Sequence, residues 1–139
     1  MTNELGTIEK FIEDNRLTME TDYTDENPNI SDMPYGSTHY ICTIKRDGGA
    51  IKIPYSMGPA LTGPPELADV LDCLAYDACD YDNAADVLEF ASEHGYDLET
   101  NADIRKARDV YRVVEGQTEA LTDLLGDVYE TLLYETERR

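Results

Sequence analysis

Between Pro64 and Glu99 the chain has no lysine and no arginine, although the same stretch carries eleven carboxylates. Bases are scarce elsewhere too: eleven Lys and Arg stand against thirty Asp and Glu, a formal charge of −19. Such a surface repels phosphate backbones and anionic headgroups, which argues against direct binding to nucleic acid or an anionic membrane and leaves a basic protein as the charged partner. Cysteines number three, at positions 42, 73 and 79, and include no CxxC pair. That excludes a disulfide framework and a zinc pair, and the thiols are expected to be reduced and intracellular. No apolar run approaches the length of a membrane span. Met1 to Glu9 has neither a basic n-region nor an apolar h-region, so a cytoplasmic location is expected.

Catalytic patterns are missing as well. His39 and His94, the two histidines, form no HExxH or HxxxH pair, and Ser56-Met57-Gly58 lacks the GxSxG elbow. His39 reads as a surface or edge residue, and His94 as a cation at a helix C-terminus. Gly58 to Gly63 is not followed by the Lys and the Ser or Thr of a phosphate-binding loop. Asp80-Tyr81-Asp82-Asn83 supplies half of a calcium loop, without its Gly and its bidentate Glu. Cys73 and Cys79, six apart, read as small buried hydrophobes rather than a redox pair. The expectation is a protein without catalytic residues, metal or cofactor.

What is present is a pattern of core. The 139 residues fit one acidic α+β domain, 1–139, large enough to bury a core without staples. Leu5, Ile8, Phe11 and Ile12 predict a first helix over about Asn3 to Asn15. Leu17 to Thr24 alternates as a half-buried strand. Glu26 to Ser37, rich in Asn, Pro, Ser and Asp, predicts a long exposed loop. From Thr38 to Met57 a hairpin is expected, with Tyr40, Cys42 and Ile44 facing inward opposite Ile51, Ile53 and Tyr55. Asp47-Gly48-Gly49 forms its turn, and Pro54 marks the second strand as an edge. The result is a three-stranded antiparallel meander covered by four to five helices.

The covering helices are legible by their apolar spacing. Leu67, Val70, Leu71, Leu74 and Ala75 predict a helix from about Glu66 to Cys79, followed by a turn at Asp80 to Asn83. A second helix is expected over Ala84 to Glu93, burying Ala84, Val87, Leu88 and Ala91, with Gly95 as its left-handed cap. A third starts after Thr100 or Asn101, passes Ile104, Ala107, Tyr111 and Val114, and stops at Gly126. A last helix runs through Val128, Leu132 and Leu133.

Three runs carry a resemblance: Pro54-Tyr55-Ser56-Met57-Gly58, Ala68-Asp69-Val70-Leu71-Asp72-Cys73-Leu74-Ala75, and Phe90-Ala91-Ser92-Glu93-His94-Gly95-Tyr96-Asp97. With them the chain resembles, from its first helix to its last, a family of small uncharacterised proteins of tailed bacteriophages and their prophages. The resemblance implies an accessory gene product acting in the host cytoplasm, and it brings no catalytic residues.

The acid is unevenly placed. Residues 38–65 carry one acid and three bases, net +2, whereas residues 66–100 carry eleven acids and no base. An evenly acidic chain is what a salt-rich cytoplasm selects, and a solvated helix face is the ordinary use of charge. The clustering departs from that evenness and leaves two readings open, a solvated or salt-adapted surface and a surface selected for something basic. Carboxylates three or four apart on a helix stand roughly 5 to 6 Å apart, close enough to imitate a row of phosphates spaced about 3.4 Å along one strand. The candidate partner-binding residues are Asp69, Asp72, Asp77, Asp80, Asp82, Asp86, Glu89 and Glu93. The partner they imply is the basic groove of a host nucleic-acid-binding defence complex, a CRISPR effector or a restriction nuclease. The alternative is a small phage regulatory or structural accessory protein that binds one partner through the sheet edge or the loop at Met33 to Ser37, its acidity reflecting solvation or a halophilic host.

Overall fold

A computed structural model describes residues 4–24, 37–58, 63–84 and 86–137. The long loop expected over Glu26 to Ser37 lies outside the described residues but for Ser37. The order of elements is α1 (Glu4–Asp14), β1 (Thr18–Thr24), β2 (Thr38–Arg46), β3 (Gly49–Met57), α2 (Leu67–Asn83), α3 (Val87–Glu93), α4 (Asn101–Leu125) and α5 (Tyr129–Glu137), with a 3-10 turn at Gly126–Val128 between the last two. The strands form one antiparallel sheet in the order β1-β2-β3. It is the expected α+β meander with helices.

The hairpin shows how local chemistry sets the register. Asp47 and Gly48 both have positive φ, 48° and 88°, the pair of left-handed residues that a type I′ turn needs to match strand twist. Arg46 is thereby placed opposite Gly49, and the ladder then brings Ile44 to Ile51, Cys42 to Ile53 and Tyr40 to Tyr55. These are the six residues expected to face inward. Cys42, Ile44 and Ile53 are buried, and Tyr40, Ile51 and Tyr55 pack against the same core. Because the side-chain period is two, the other face of the sheet is polar. There Glu20 meets Lys45 at 3.0 Å, and His39 Nδ1 shares a 2.7 Å hydrogen bond with Ser56 Oγ, so His39 is a half-buried, bonded residue of that face.

The helices close over the inward face. From α1 come Ile8 and Phe11; from α2 Val70, Leu71, Leu74 and Ala75; from α4 Leu121, Leu124 and Leu125; and from α5 Leu132. The chain leaves α1 through a left-handed Arg16, φ 55°. The Leu17 N–H then bonds back to the Ile12 carbonyl at 3.0 Å, a Schellman closure that buries Leu17 and aims β1 across the core. Helix α3 ends the same way: Gly95, φ 80°, lets the Tyr96 N–H reach the Ala91 carbonyl at 3.0 Å. At the start of α4 the Thr100 hydroxyl oxygen accepts from the Asp103 N–H. Gly116 does not interrupt α4, and Gly126 ends it.

Three expectations about the helices are corrected. Asp80 to Asn83 is the last turn of α2, not a connection: the Tyr81 hydroxyl donates to Glu115 Oε2 at 2.8 Å, and its ring lies 5.1 Å from that of Tyr111, so α4 holds these turn-prone residues in helix. Helix α3 starts later than Ala84, because Asp86 caps it by accepting from the Glu89 N–H at 2.9 Å. The later start turns the helix so that Phe90 and Ala91 are buried while Leu88 is 49 % exposed and Ala84 and Val87 are only half-buried. Cys73 is exposed, on a different side of α2 from buried Cys79, whose thiol donates to the Leu133 carbonyl.

Candidate functional site

The acidic stretch runs along the outer side of α2, the outer side of α3 and the connection to α4; both helices pack on α4, and they approach each other where Asp80 faces His94 at 3.6 Å. On a helix of 3.6 residues per turn, Asp69, Asp72, Tyr76 and Asp80 fall on one side of α2. The opposite side is occupied by the apolar stripe. These carboxylates are half-buried, since α2 is flanked by α1, α4 and α5. Among them stands Tyr76, 43 % exposed. Asp86 at the start of α3 and Glu89 and Glu93 on it are exposed, as are Asp97 and Glu99 beyond it. The side chain of Asp82 lies outside the described residues.

Asp86 and Asp80 have other work. Asp86 serves as the α3 cap, and Asp80 faces His94 at 3.6 Å. His94 is the C-cap residue of α3 and stacks on Phe90 with ring centroids 4.2 Å apart. Asp97 is likewise engaged, accepting from the Glu99 N–H at 2.9 Å. The border of the acidic surface is the first half of α4, where Arg105, Arg108 and Arg112 are exposed at a spacing that puts them on one side.

Asp77 differs from its neighbours. It lines a cavity of about 260 Å³ between β3, α2 and α4, whose walls include Ile53, Val70 and Leu74 and whose polar members include Tyr55 and Gln117. Partial burial raises the Asp77 carboxyl to about 6, with Asp80 adding to the shift and His94 opposing it. The Tyr55 hydroxyl lies 3.7 Å from Cys73 Sγ. Although Cys73 is exposed along one side, burial at this contact raises its thiol, and burial followed by the hydrogen bond to Cys73 raises the Tyr55 phenol. Both groups stay protonated at neutral pH. Tyr55 was legible as an inward strand residue, but nothing in its spacing tied it to Asp77 or Gln117.

Among the described residues no three His, Cys, Asp or Glu side chains are grouped to hold a metal ion. No helix among them is long and apolar enough to cross a membrane. No protein-family model, curated protein or solved structure matches the chain.

Proposed function

We propose that the protein works by binding rather than by catalysis, and that it is a phage-type anti-defence protein acting in the host cytoplasm. Its acidic surface would occupy the basic groove in which a CRISPR effector or restriction nuclease grips nucleic acid. The observation that carries this reading is the continuous run of α2, α3 and the turn after it, in which every formally charged group at neutral pH is a carboxylate. On α3, Glu89 and Glu93 are four residues apart and exposed, a spacing of roughly 5 to 6 Å that suits a row of Arg and Lys built for phosphates. The resemblance to phage proteins supports the setting, and the absence of nucleophile, phosphate cradle and metal pattern in the sequence supports a binding role.

The test is capture of the partner from a bacterial host lysate, followed by displacement with duplex DNA or guide RNA. The reading expects a nucleic-acid-binding complex that releases the protein when nucleic acid is added, with affinity falling as salt rises. Capture of a protein with no nucleic-acid groove would replace it with the accessory-protein reading.

A further inference from the structure

We infer that the cavity between β3, α2 and α4 is a socket for one arginine side chain of the basic partner. The inference deepens the reading above and rests on it for the identity of the partner, while the socket itself can be tested without that partner.

Size comes first. At about 260 Å³ the cavity is smaller than the 300 to 1,000 Å³ typical of sites for drug-sized ligands. It suits a single side chain better than a cofactor or nucleotide. Charge comes second: Asp77 lines the cavity, Asp69, Asp72 and Asp80 of the same helix act electrostatically on Tyr55, Cys73 or Asp77, and together they repel an anion, while the described residues offer no group of three metal ligands. That leaves an organic cation.

The arrangement of acceptors favours guanidinium over ammonium. Asp77 lines the cavity from α2, Tyr55 from β3 and Gln117 from α4, so acceptors come from three elements around one space. A planar fork with five N–H donors can satisfy such a spread, whereas an ammonium is a compact point that keeps its water more strongly. Pro54, with Leu74 beside it, supplies an apolar wall for the methylene stem, backed by the buried Ile53 and Val70. Tyr55, kept neutral and held against Cys73, offers its hydroxyl oxygen as one of these acceptors. In an interface otherwise built of screened surface charge, a desolvated arginine is the kind of contact that carries most of the energy.

Titration bears on the socket too. The charged groups acting on Asp77 are Asp80 of the same helix and His94 at the end of α3; β3 contributes Tyr55, and α4 the uncharged Gln117. Protonating Asp77 removes the charge that recognises guanidinium, so binding should weaken as pH falls through about 6.

The test uses the whole protein labelled with 15N and three small probes: N-acetyl-arginine amide, N-acetyl-lysine amide and the neutral isostere N-acetyl-citrulline amide. The arginine probe should give saturable amide shifts centred on Cys73, Asp77 and Gln117, at least about fivefold tighter than lysine, with citrulline giving none. Asp77→Asn should weaken the arginine probe by about tenfold, the coupling expected of one partly desolvated charge pair. Glu119→Gln, an exposed acid elsewhere on α4, should leave it unchanged. Equal shifts with citrulline, non-saturating shifts spread over the acidic surface, or an unaltered response in Asp77→Asn would each overturn the socket. A functioning socket in a protein that fails to displace nucleic acid would instead refute the mimicry and leave the cavity assignment standing.

Discussion

Arg46 Nη1 donates to the carbonyl of Leu125 at 2.8 Å and lies 3.4 Å from that of Leu124. One guanidinium at the end of β2 thus caps the last turn of α4, where the carbonyls have no intrahelical partner and the helix dipole is negative. Hydrogen bonds to a charged group contribute about 1.5 to 3 kcal/mol. Arg46→Met, which keeps the stem and deletes the donors, should therefore cost about 2 kcal/mol in urea denaturation. A loss no larger than that of Lys52→Met, an exposed base on β3, would show that the cap contributes nothing.

The α2 stripe makes a sharper contrast. Leu71 is fully buried, while Leu88 on the next helix is 49 % exposed. Leu71→Ala should cost about 2 to 5 kcal/mol as a core truncation. Leu88→Ala should stay within about 0.5 kcal/mol of the parent protein, as a surface change does. Similar losses at the two sites would contradict the placement of α3.

That contrast also marks where sequence reasoning succeeded. Leu67 to Ala75 repeats over more than two turns, and Tyr40 to Ile44 alternates against Ile51 to Tyr55 across a turn whose residue types dictate the register. Long periodic runs of that kind have one way to bury their apolar side. Helix α3 spans seven residues, too few for a period to distinguish Leu88 from Phe90, and the N-cap choice of Asp86 decided it. Asp80 to Asn83 has the composition of a turn. It is helical because Tyr81 finds Tyr111 and Glu115 on a helix thirty-odd positions later, a tertiary fact with no local trace. The cavity was illegible for the same reason, since β3, α2 and α4 meet there from distant parts of the chain.

Asp77 predicts a pH dependence of stability. Its carboxyl is raised from 3.8 to about 6, so between those values the folded protein holds a proton that the unfolded chain has lost. The stability contributed by this group is fully present below pH 3.8 and is lost as pH rises through about 6. Asp77→Asn should therefore raise the Tm at neutral pH and leave it unchanged below pH 3.8. An equal shift at both extremes, or a shift at neutral pH no larger than that of Glu119→Gln, would mean that relief of general charge repulsion is the whole effect.

Asp86 separates a structural acid from a binding one. Because its carboxylate caps α3, Asp86→Ala should cost about 0.5 to 2 kcal/mol, and Asp86→Asn, which can still accept, should recover most of it. Glu93→Gln, on the same helix and exposed, should leave stability within about 0.5 kcal/mol. If Asn fails to rescue, the loss comes from charge and not from the cap.

The central claim is that the acids of α2 and α3 take the place of nucleic acid on a basic groove. Its most direct measurement is a competition titration on the captured defence complex with its duplex or guide bound. Two variants are compared: Asp69, Asp72, Glu89 and Glu93 all changed to Lys, and the same number of exposed acids from α1 and β1, Glu9, Glu13, Asp14 and Asp22, changed likewise. Both alter net charge equally. The first should lose displacement of the nucleic acid altogether while keeping its circular dichroism, and the second should keep most of it; equal losses in the two would show that bulk charge, and not this surface, does the binding.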